Sequence, residues 1–341
     1  MMSTALAQAQ PDPAVIWNTI NAYQRTAALR AADELDLFTA IGEGIDCAEE
    51  LASRCNASVR GIRILCDYLT VIGLLVKENG RYGLTPTSAA FLDHHSSSCM
   101  ASMIRFMNAH KLMAGFTNLT ETVRRGTTQL SEGGVTETHL EEWVLFARSM
   151  MPLMAAASEF LGDVALSSGP PPRRVLDIAA GHGLFGIAVA RRAPHAQIIA
   201  VDWTNVLEVT RENVKAAGLQ DRYEFVPGDA FTVDFSGEYD VVLLPNLLHH
   251  FSENECEALL RKIYSAMNAG GRLLTLEFVP NEDGVTPPIA ASFSLMMLGL
   301  TPAGDAFTME QHRRMLLAAG FERSELLQVP RSPEQLILSS K

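Results

Sequence analysis

The β-forming run Val175-Leu176-Asp177-Ile178 leads straight into Ala179-Ala180-Gly181-His182-Gly183-Leu184-Phe185-Gly186, and then into a helical stretch, Ile187 to Arg192. No other feature of the 341 residues constrains the fold as strongly as this strand, glycine turn and helix. Glycine lets backbone approach a ligand closely, and the first turn of a helix offers N–H groups that have no partner within the helix. Gly181, Gly183 and Gly186 satisfy GxGxxG, and Asp202 ends the next β-rich run, where a carboxylate can accept from ribose hydroxyls. Alone, these features fit NAD.

Around the turn, β-rich runs alternate with helical stretches. The runs are Val175–Ile178, Gln197–Val201, Tyr223–Val226, Val241–Leu244 and Arg272–Leu276. Such alternation implies right-handed βαβ units and a parallel sheet covered by helices. The character changes at Ser167-Ser168-Gly169-Pro170-Pro171-Pro172, a stiff connector. Before it, apolar residues recur at helical spacing, as in Ile16, Ile20, Tyr23 and Ala27. The expected division is a flexible N-terminus over 1–13, a helical unit over 14–166, a linker over 167–172 and a cofactor-binding unit over 173–341.

Within the helical unit, Asp46 is placed to cap a helix beginning at Cys47, and a second helix is expected from Val59 to Ile72. Leu74 to Thr85 reads as two strands around the turn Asn79-Gly80. Helix, turn, helix and hairpin make a winged-helix layout, which invites a DNA-binding reading. Charge argues against it. The chain holds 27 Lys and Arg against 39 Asp and Glu, a net −12. Residues 1–160 alone hold 12 basic against 17 acidic side chains. Nucleic-acid affinity rests on Lys and Arg neutralising phosphates, so no nucleic-acid partner is expected. The apolar helices at 14–40 and 100–120 suit burial against a second copy of the chain, or else the protein's own core.

Five scattered cysteines without a CxxC pair read as free thiols in a reducing compartment, the cytoplasm. Arg25 is the first basic residue, so the charged start of a secretory signal is missing. Gly284–Gly304 is uncharged over 21 residues but contains three prolines, and is expected to form a loop and a buried helix instead of a membrane span. No metal set is expected; His94-His95 lies beside serines without further ligands at useful spacing.

Further residues favour S-adenosylmethionine over NAD. Asp177 precedes Gly181 by four residues, a DxxxGxG string typical of methyltransferases, and the turn opens mid-chain. Gly228-Asp229-Ala230-Phe231 follows the third run, where Asp229 can accept from an adenine amino group and Phe231 can pack on its ring. His182 is expected to fill space above the loop. With Leu248-His249-His250-Phe251-Ser252, Leu276-Glu277 and Ala319-Gly320-Phe321, the chain resembles the small-molecule O-methyltransferases that carry an N-terminal winged-helix dimerisation domain, from about Ala14 to Val329.

The resemblance implies an α/β fold, with a Rossmann-like domain of seven mostly parallel strands behind a helical dimerisation domain. It implies S-adenosylmethionine held by Asp177, Ala179, Gly181, Gly183, Asp202, Trp203, Asp229, Ala230, Phe231 and Asn246. It also implies a homodimer, and a small aromatic or polyketide-like acceptor. In the family a His-Asp-Trp triplet supplies the general base, and a Glu 28 residues later orients it. His249 and Glu277 stand in that register, with His249 Nε2 expected to face the pocket and take the proton and the adjacent His250 as the rival base. The chain departs from the pattern at His250 and Phe251, at Pro245 in place of a Lys, and at Ala306, beside Asp305, in place of a second Glu. Met-rich segments suggest an apolar acceptor pocket from Phe106, Met107, Met150, Met151, Met154, Met296 and Met297, with Met103 nearby and Asp305 at its edge. The alternatives are N- or C-methylation, a non-methylating reaction on the same fold, and a winged-helix regulator.

Overall fold

In the helix Val59–Val71, Ile62, Cys66 and Leu69 fall on one face, and that face is buried. Ser58 caps it, its Oγ accepting from the Gly61 N–H. The hairpin follows as β1 (Leu75–Glu78) and β2 (Arg81–Leu84), antiparallel. Its turn residues Asn79 and Gly80 both take positive φ, 50° and 80°, as a two-residue hairpin turn requires. The preceding helix, Ala48–Arg54, is capped at Cys47 without a side-chain hydrogen bond. Asp46, expected as its cap, is drawn away to an ion pair with Arg81 on the hairpin. Leu37, Phe38, Leu51, Ile62, Leu69, Leu75 and Tyr82 close a core, so the winged-helix layout stands.

The computed structural model describes residues 11–131, 133–137 and 141–341. Of the segment expected to be flexible, residues 1–10 lie outside the described residues. Asp12 caps the helix Pro13–Ile20, and Ile16, Ile20 and Tyr23 are exposed along this helix and the next, Ala22–Glu34. In the stretch 100–120, by contrast, Ala101, Ile104 and Leu112 are buried.

The chain divides into two units at Arg105 and Phe106, not at the proline connector. The helix Met151–Ser167 buries Met154, Ala157, Leu161 and Ala165 in one core with Val175, Ile198 and Val241 of the sheet. Periodicity shows that a helix has an apolar face but not what covers it, and here the covering is the second unit's own sheet and helices.

The second unit carries β3 (Arg174–Ile178), β4 (Gln197–Asp202), β5 (Tyr223–Pro227), β6 (Tyr239–Pro245), β7 (Met267–Glu277), β8 (Arg323–Gln328) and β9 (Gln335–Ser340). They form one seven-stranded sheet in the order β5-β4-β3-β6-β7-β9-β8. The pairs from β5 through β7 are parallel; β9 runs antiparallel to both β7 and β8. Alternate residues serve opposite faces. Leu176, Ile178, Val242 and Leu244 join one core, while Val175, Val241, Leu243 and Leu274 join the other. This two-sided burial is why the strands read as continuous apolar runs. The first strand of the unit, β3, has β4 on one side and β6 on the other, so the strand order reverses there and a crevice opens at its carboxyl end.

Gly284–Gly304 contains the apolar helix Pro288–Leu300, which buries Ala290, Met297, Gly299 and Leu300. Among the described residues, no single helix is long and apolar enough to cross a membrane. Leu161 is wholly buried in the sheet core. Leu161→Ala is expected to cost about 2–5 kcal/mol, read as a lower urea midpoint by far-UV circular dichroism; an unchanged midpoint would show that this helix does not belong to the core.

Candidate active site

The glycine turn is set by the carboxyl groups of two aspartates. Asp177, wholly buried in β3, accepts from the Gly186 N–H through Oδ2 at 3.2 Å. Gly186 admits this approach because a Cβ there would lie 2.7 Å from Asp177 Oδ2 and 2.8 Å from the Tyr223 hydroxyl. Asp202, at the end of β4, accepts from Gly181 N–H at 2.8 Å and from Trp203 N–H at 2.7 Å. Burial raises both acids, Asp177 to about 8 and Asp202 to about 6. The turn's far side is tied to the helix Thr204–Ala216. Thr210 donates to the Gly181 carbonyl and Asn213 Nδ2 to that of His182. Ala179, after β3, and Asn246, after β6, both hold φ of 54°, a left-handed conformation rare without glycine and often found at functional sites.

These strand ends surround a cavity, set in the crevice where small-molecule sites of such sheets lie. Of the ten residues expected to hold a cofactor, Ala179, Gly181, Asp202, Trp203, Asp229, Ala230, Phe231 and Asn246 line it. Asp177 and Gly183 do not. Asp177 is spent on the turn, and Gly183 is the N-cap of the helix Leu184–Arg192, packed against Thr210. Asp229 Oδ1 accepts from Phe231 N–H, and Phe231 meets Phe251 edge-on at 4.7 Å between ring centres. His182 lines the cavity, its Nδ1 accepting from Leu184 N–H, and burial lowers it to about 4. Trp143, Phe146, Phe185 and Leu247 complete much of the wall; nothing in their sequence spacing singles them out.

Of the residues expected in an acceptor pocket, only Met154 lines this cavity. Met297 is buried, Met150 packs on the sheet core, and Met296 and Phe106 pack with Leu112 and Leu300. Met151 Sδ accepts from Asn213, and Met107 is half-buried off the cavity. Asp305 accepts from the next residue's N–H and does not reach the cavity. Methionine fills irregular core space as readily as it lines a binding site. His94 in the first unit pairs with Asp33 and Asp36.

The second cluster lies where β6 and β7 end. Glu277 Oε1 accepts from the N–H groups of Leu247 and Leu248 at 3.1 and 2.9 Å, and Oε2 meets His249 Nδ1 at 2.5 Å. Burial pushes His249 far below its ordinary value, which keeps the ring neutral. Burial raises Glu277 to about 7, with nearby His312 and the backbone N–H groups pulling the other way. His249 was expected to face the cavity, but His250 lines it instead. Leu248–His250 is a 3₁₀ turn in which His249 turns inward to Glu277 and is covered by Phe293, 4.9 Å between ring centres. The two imidazoles meet with Nε2 atoms 3.2 Å apart.

The cavity suits a nucleoside sulfonium. Gly181 and Gly228 offer open backbone, Asp202 and Asp229 offer acceptors, and Phe231 offers an aromatic face. Asn246 Oδ1 is buried without a hydrogen-bond partner among the described residues, free for a ligand donor.

Residues 116–322 match the family described as O-methyltransferase domain, and residues 17–94 match the O-methyltransferase dimerisation domain. A solved structure from Nostoc punctiforme, assigned as an O-methyltransferase, is 45% identical and superposes with a TM-score of 0.94 over 97% of this chain and all of that one. The 3-hydroxy-5-methyl-1-naphthoate 3-O-methyltransferase of Streptomyces sahachiroi is 28% identical over 84% of this chain and 83% of its own. Human N-acetylserotonin methyltransferase, solved in complex with SAM, shares the fold at a TM-score of 0.84 and 22% identity, covering 100% of this chain and 99% of its own.

Asp177 supplies a test of the turn. Its folded pKa of about 8 lies above the ordinary 3.8, so its neutral form stabilises the fold fully below about pH 4. That contribution is lost as pH rises toward 8. Asp177→Asn keeps an oxygen for Gly186 N–H and carries no charge. Its thermal midpoint is expected to exceed the wild type's at pH 8, with the gap closing toward pH 5; a gap independent of pH would show the carboxyl to be ionised throughout.

Proposed function

Because this chain belongs to the O-methyltransferase family and carries that family's dimerisation domain, we propose that it methylates a hydroxyl of a small aromatic or polyketide-like metabolite, using S-adenosylmethionine. The observation that carries the reading is the His249–Glu277 pair, 2.5 Å between Nδ1 and Oε2, next to His250 of a cavity that Gly181, Asp202 and Asp229 also line. A phenol with a pKa near 10 is a poor nucleophile at neutral pH and needs a base as it reacts. His249 is neutral, and Glu277 stabilises the imidazolium that forms when the acceptor's proton comes to rest there.

Asp202, Asp229, Phe231 and the backbone of Ala179 and Gly181 would hold the cofactor, with Asn246 Oδ1 accepting from its ammonium. When bound, the cofactor supplies an electrophilic methyl on a sulfonium. Trp143, Phe146 and Phe251 line the same cavity and suit a flat, apolar acceptor. Holding that acceptor in line with the methyl is the larger part of the catalysis, where proximity contributes about 7–11 kcal/mol. The working form is a homodimer built through the first unit, in the cytoplasm, where the five free cysteines persist as thiols.

His249→Ala is expected to lower turnover by about 10²-fold or more, with S-adenosylhomocysteine affinity retained by calorimetry. Full turnover would remove His249 from the reaction, and a product without added methyl mass would overturn the reading. Asp202→Asn leaves one oxygen to serve two backbone N–H groups and the ligand. It is expected to weaken S-adenosylhomocysteine by about 10- to 100-fold, the loss of one charge-assisted hydrogen bond. Trp17 and Ile20 are exposed on the first helix. Replacing both by Asp is expected to halve the mass seen by light scattering, and an unchanged mass would place the dimer contact elsewhere.

A further inference from the structure

We infer that Lys262 is the positioning residue of the cavity's adenine end: its ammonium, reaching in from a neighbouring helix, holds the loop 228–233 in the form in which Asp229 and Phe231 meet the base. The inference rests on the reading that these two residues hold the cofactor, and adds what sets their place. Neither Lys262 nor the rest of its helix, Glu253–Ala266, is part of the cavity wall, so the lysine acts through the loop.

Its first ground is the way the loop spends its own hydrogen bonds. The chain leaves β5 at Gly228, whose N–H donates to the Asp202 carbonyl at 3.0 Å and whose φ of 155° favours glycine. Asp229 then takes the N–H groups that follow. Its Oδ1 accepts from Phe231 at 2.9 Å, and its carbonyl accepts from Thr232 and Val233 at 3.0 and 2.8 Å. The result is a single turn closed on its N–H side by Asp229. A turn this short has no N–H groups left for its own last carbonyls. Lys262 Nζ donates to two of them, Ala230 at 2.8 Å and Val233 at 2.5 Å. The ring of Phe235 lies 4.0 Å from the same ammonium, so two carbonyls and an aromatic face surround the cation.

The second ground is what holds the lysine. Its helix is capped at Ser252 and buries Cys256, Leu259, Leu260 and Ile263, so the side chain starts from a fixed base. Burial lowers the ammonium, while the charges of Asp229 and Asp234 favour its protonated form. The cap Ser252 directly follows Phe251, whose ring meets Phe231 edge-on at 4.7 Å. One helix therefore holds the loop at two points, by a ring at its start and by an ammonium about three turns further on. Without the ammonium the carbonyls of Ala230 and Val233 lose this donor and the turn is free to open. Asp229 and Phe231 then lose their common orientation, and the site tells one base from another less well. A protein that is merely less stable would not show that loss.

Titration calorimetry reads it with two ligands, S-adenosylhomocysteine and S-inosylhomocysteine, which carries an oxygen where adenine carries its amino group. Wild type is expected to prefer S-adenosylhomocysteine by about 10-fold or more, as the loss of a charge-assisted hydrogen bond to Asp229 implies. Lys262→Met keeps the stem without the ammonium. It is expected to bind S-adenosylhomocysteine about 10-fold more weakly, with the preference reduced to about threefold or less. Wild-type affinity, or equal weakening of both ligands with the preference intact, would overturn the inference. If the methionine variant does not fold, Lys262→Gln is read in its place. Hydrogen–deuterium exchange of the ligand-free protein is a second measurement. Peptides covering 228–233 are expected to exchange about 10-fold faster in the variant, with those of β3 unchanged; unchanged exchange in the loop would also sink the idea. Wild-type protein that does not distinguish the two ligands counts against Asp229 and Phe231 as holders of the base, and the exchange rates still decide what Lys262 does to the loop.

Discussion

The carboxylate of Glu277 gathers three donors at the ends of two neighbouring strands, β6 and β7. A buried charge is costly unless its lone pairs are satisfied, and breaking such a set strands an uncompensated ion. Here the donors are the N–H groups of Leu247 and Leu248 and the Nδ1 of His249, so a single side chain sets both the backbone path after β6 and the orientation of an imidazole. Asn246 makes that path possible. Its left-handed φ turns the chain out of the strand, while its own N–H still donates to the Leu276 carbonyl at 2.8 Å. The 3₁₀ turn that carries both histidines hangs from this arrangement.

The glycine turn is built on the same plan, with backbone as the material and carboxyl side chains as the ties. Asp202 joins the glycine turn to the start of the next helix, and Asp177 holds the turn from beneath. Thr210 and Asn213 reach back to its carbonyls. A wall braced from strand and helix alike loses little freedom when a ligand binds, and pre-organisation of this kind reduces the ordering cost of binding. The acids that do the bracing are buried, and they sit where the strand order reverses and the fold opens its crevice.

Much of this was legible in the residues. The five parallel strands announced themselves because burial on both faces demands unbroken apolar runs, and the Asn-Gly turn announced the hairpin because few other dipeptides adopt two positive φ values. The resemblance to the family marked His249 and Glu277 as a pair, and they do meet. Other readings went astray where one pattern serves two ends. The helix Met151–Ser167 looked like part of the first unit, since an apolar stripe does not name its partner. The methionines looked like a pocket, and all but Met154 fill space elsewhere. Asp46 looked like a cap and is held by Arg81 instead.

By itself, then, the sequence determined the order of strands and helices, the glycine turn, the acids that end the strands and the identity of the histidine–glutamate pair. The elements and the turn follow from side-chain period and backbone permissiveness; the pair was marked by the resemblance to the family, whose register His249 and Glu277 keep. Only the tertiary structure decided which of two adjacent histidines faces the cavity, which aromatic side chains wall it, and where one unit ends. Those outcomes depend on what packs against a side chain from distant parts of the chain. His249 and His250 are neighbours in sequence, and what separates their positions is a carboxyl group 28 residues away that meets the first and leaves the second to the cavity.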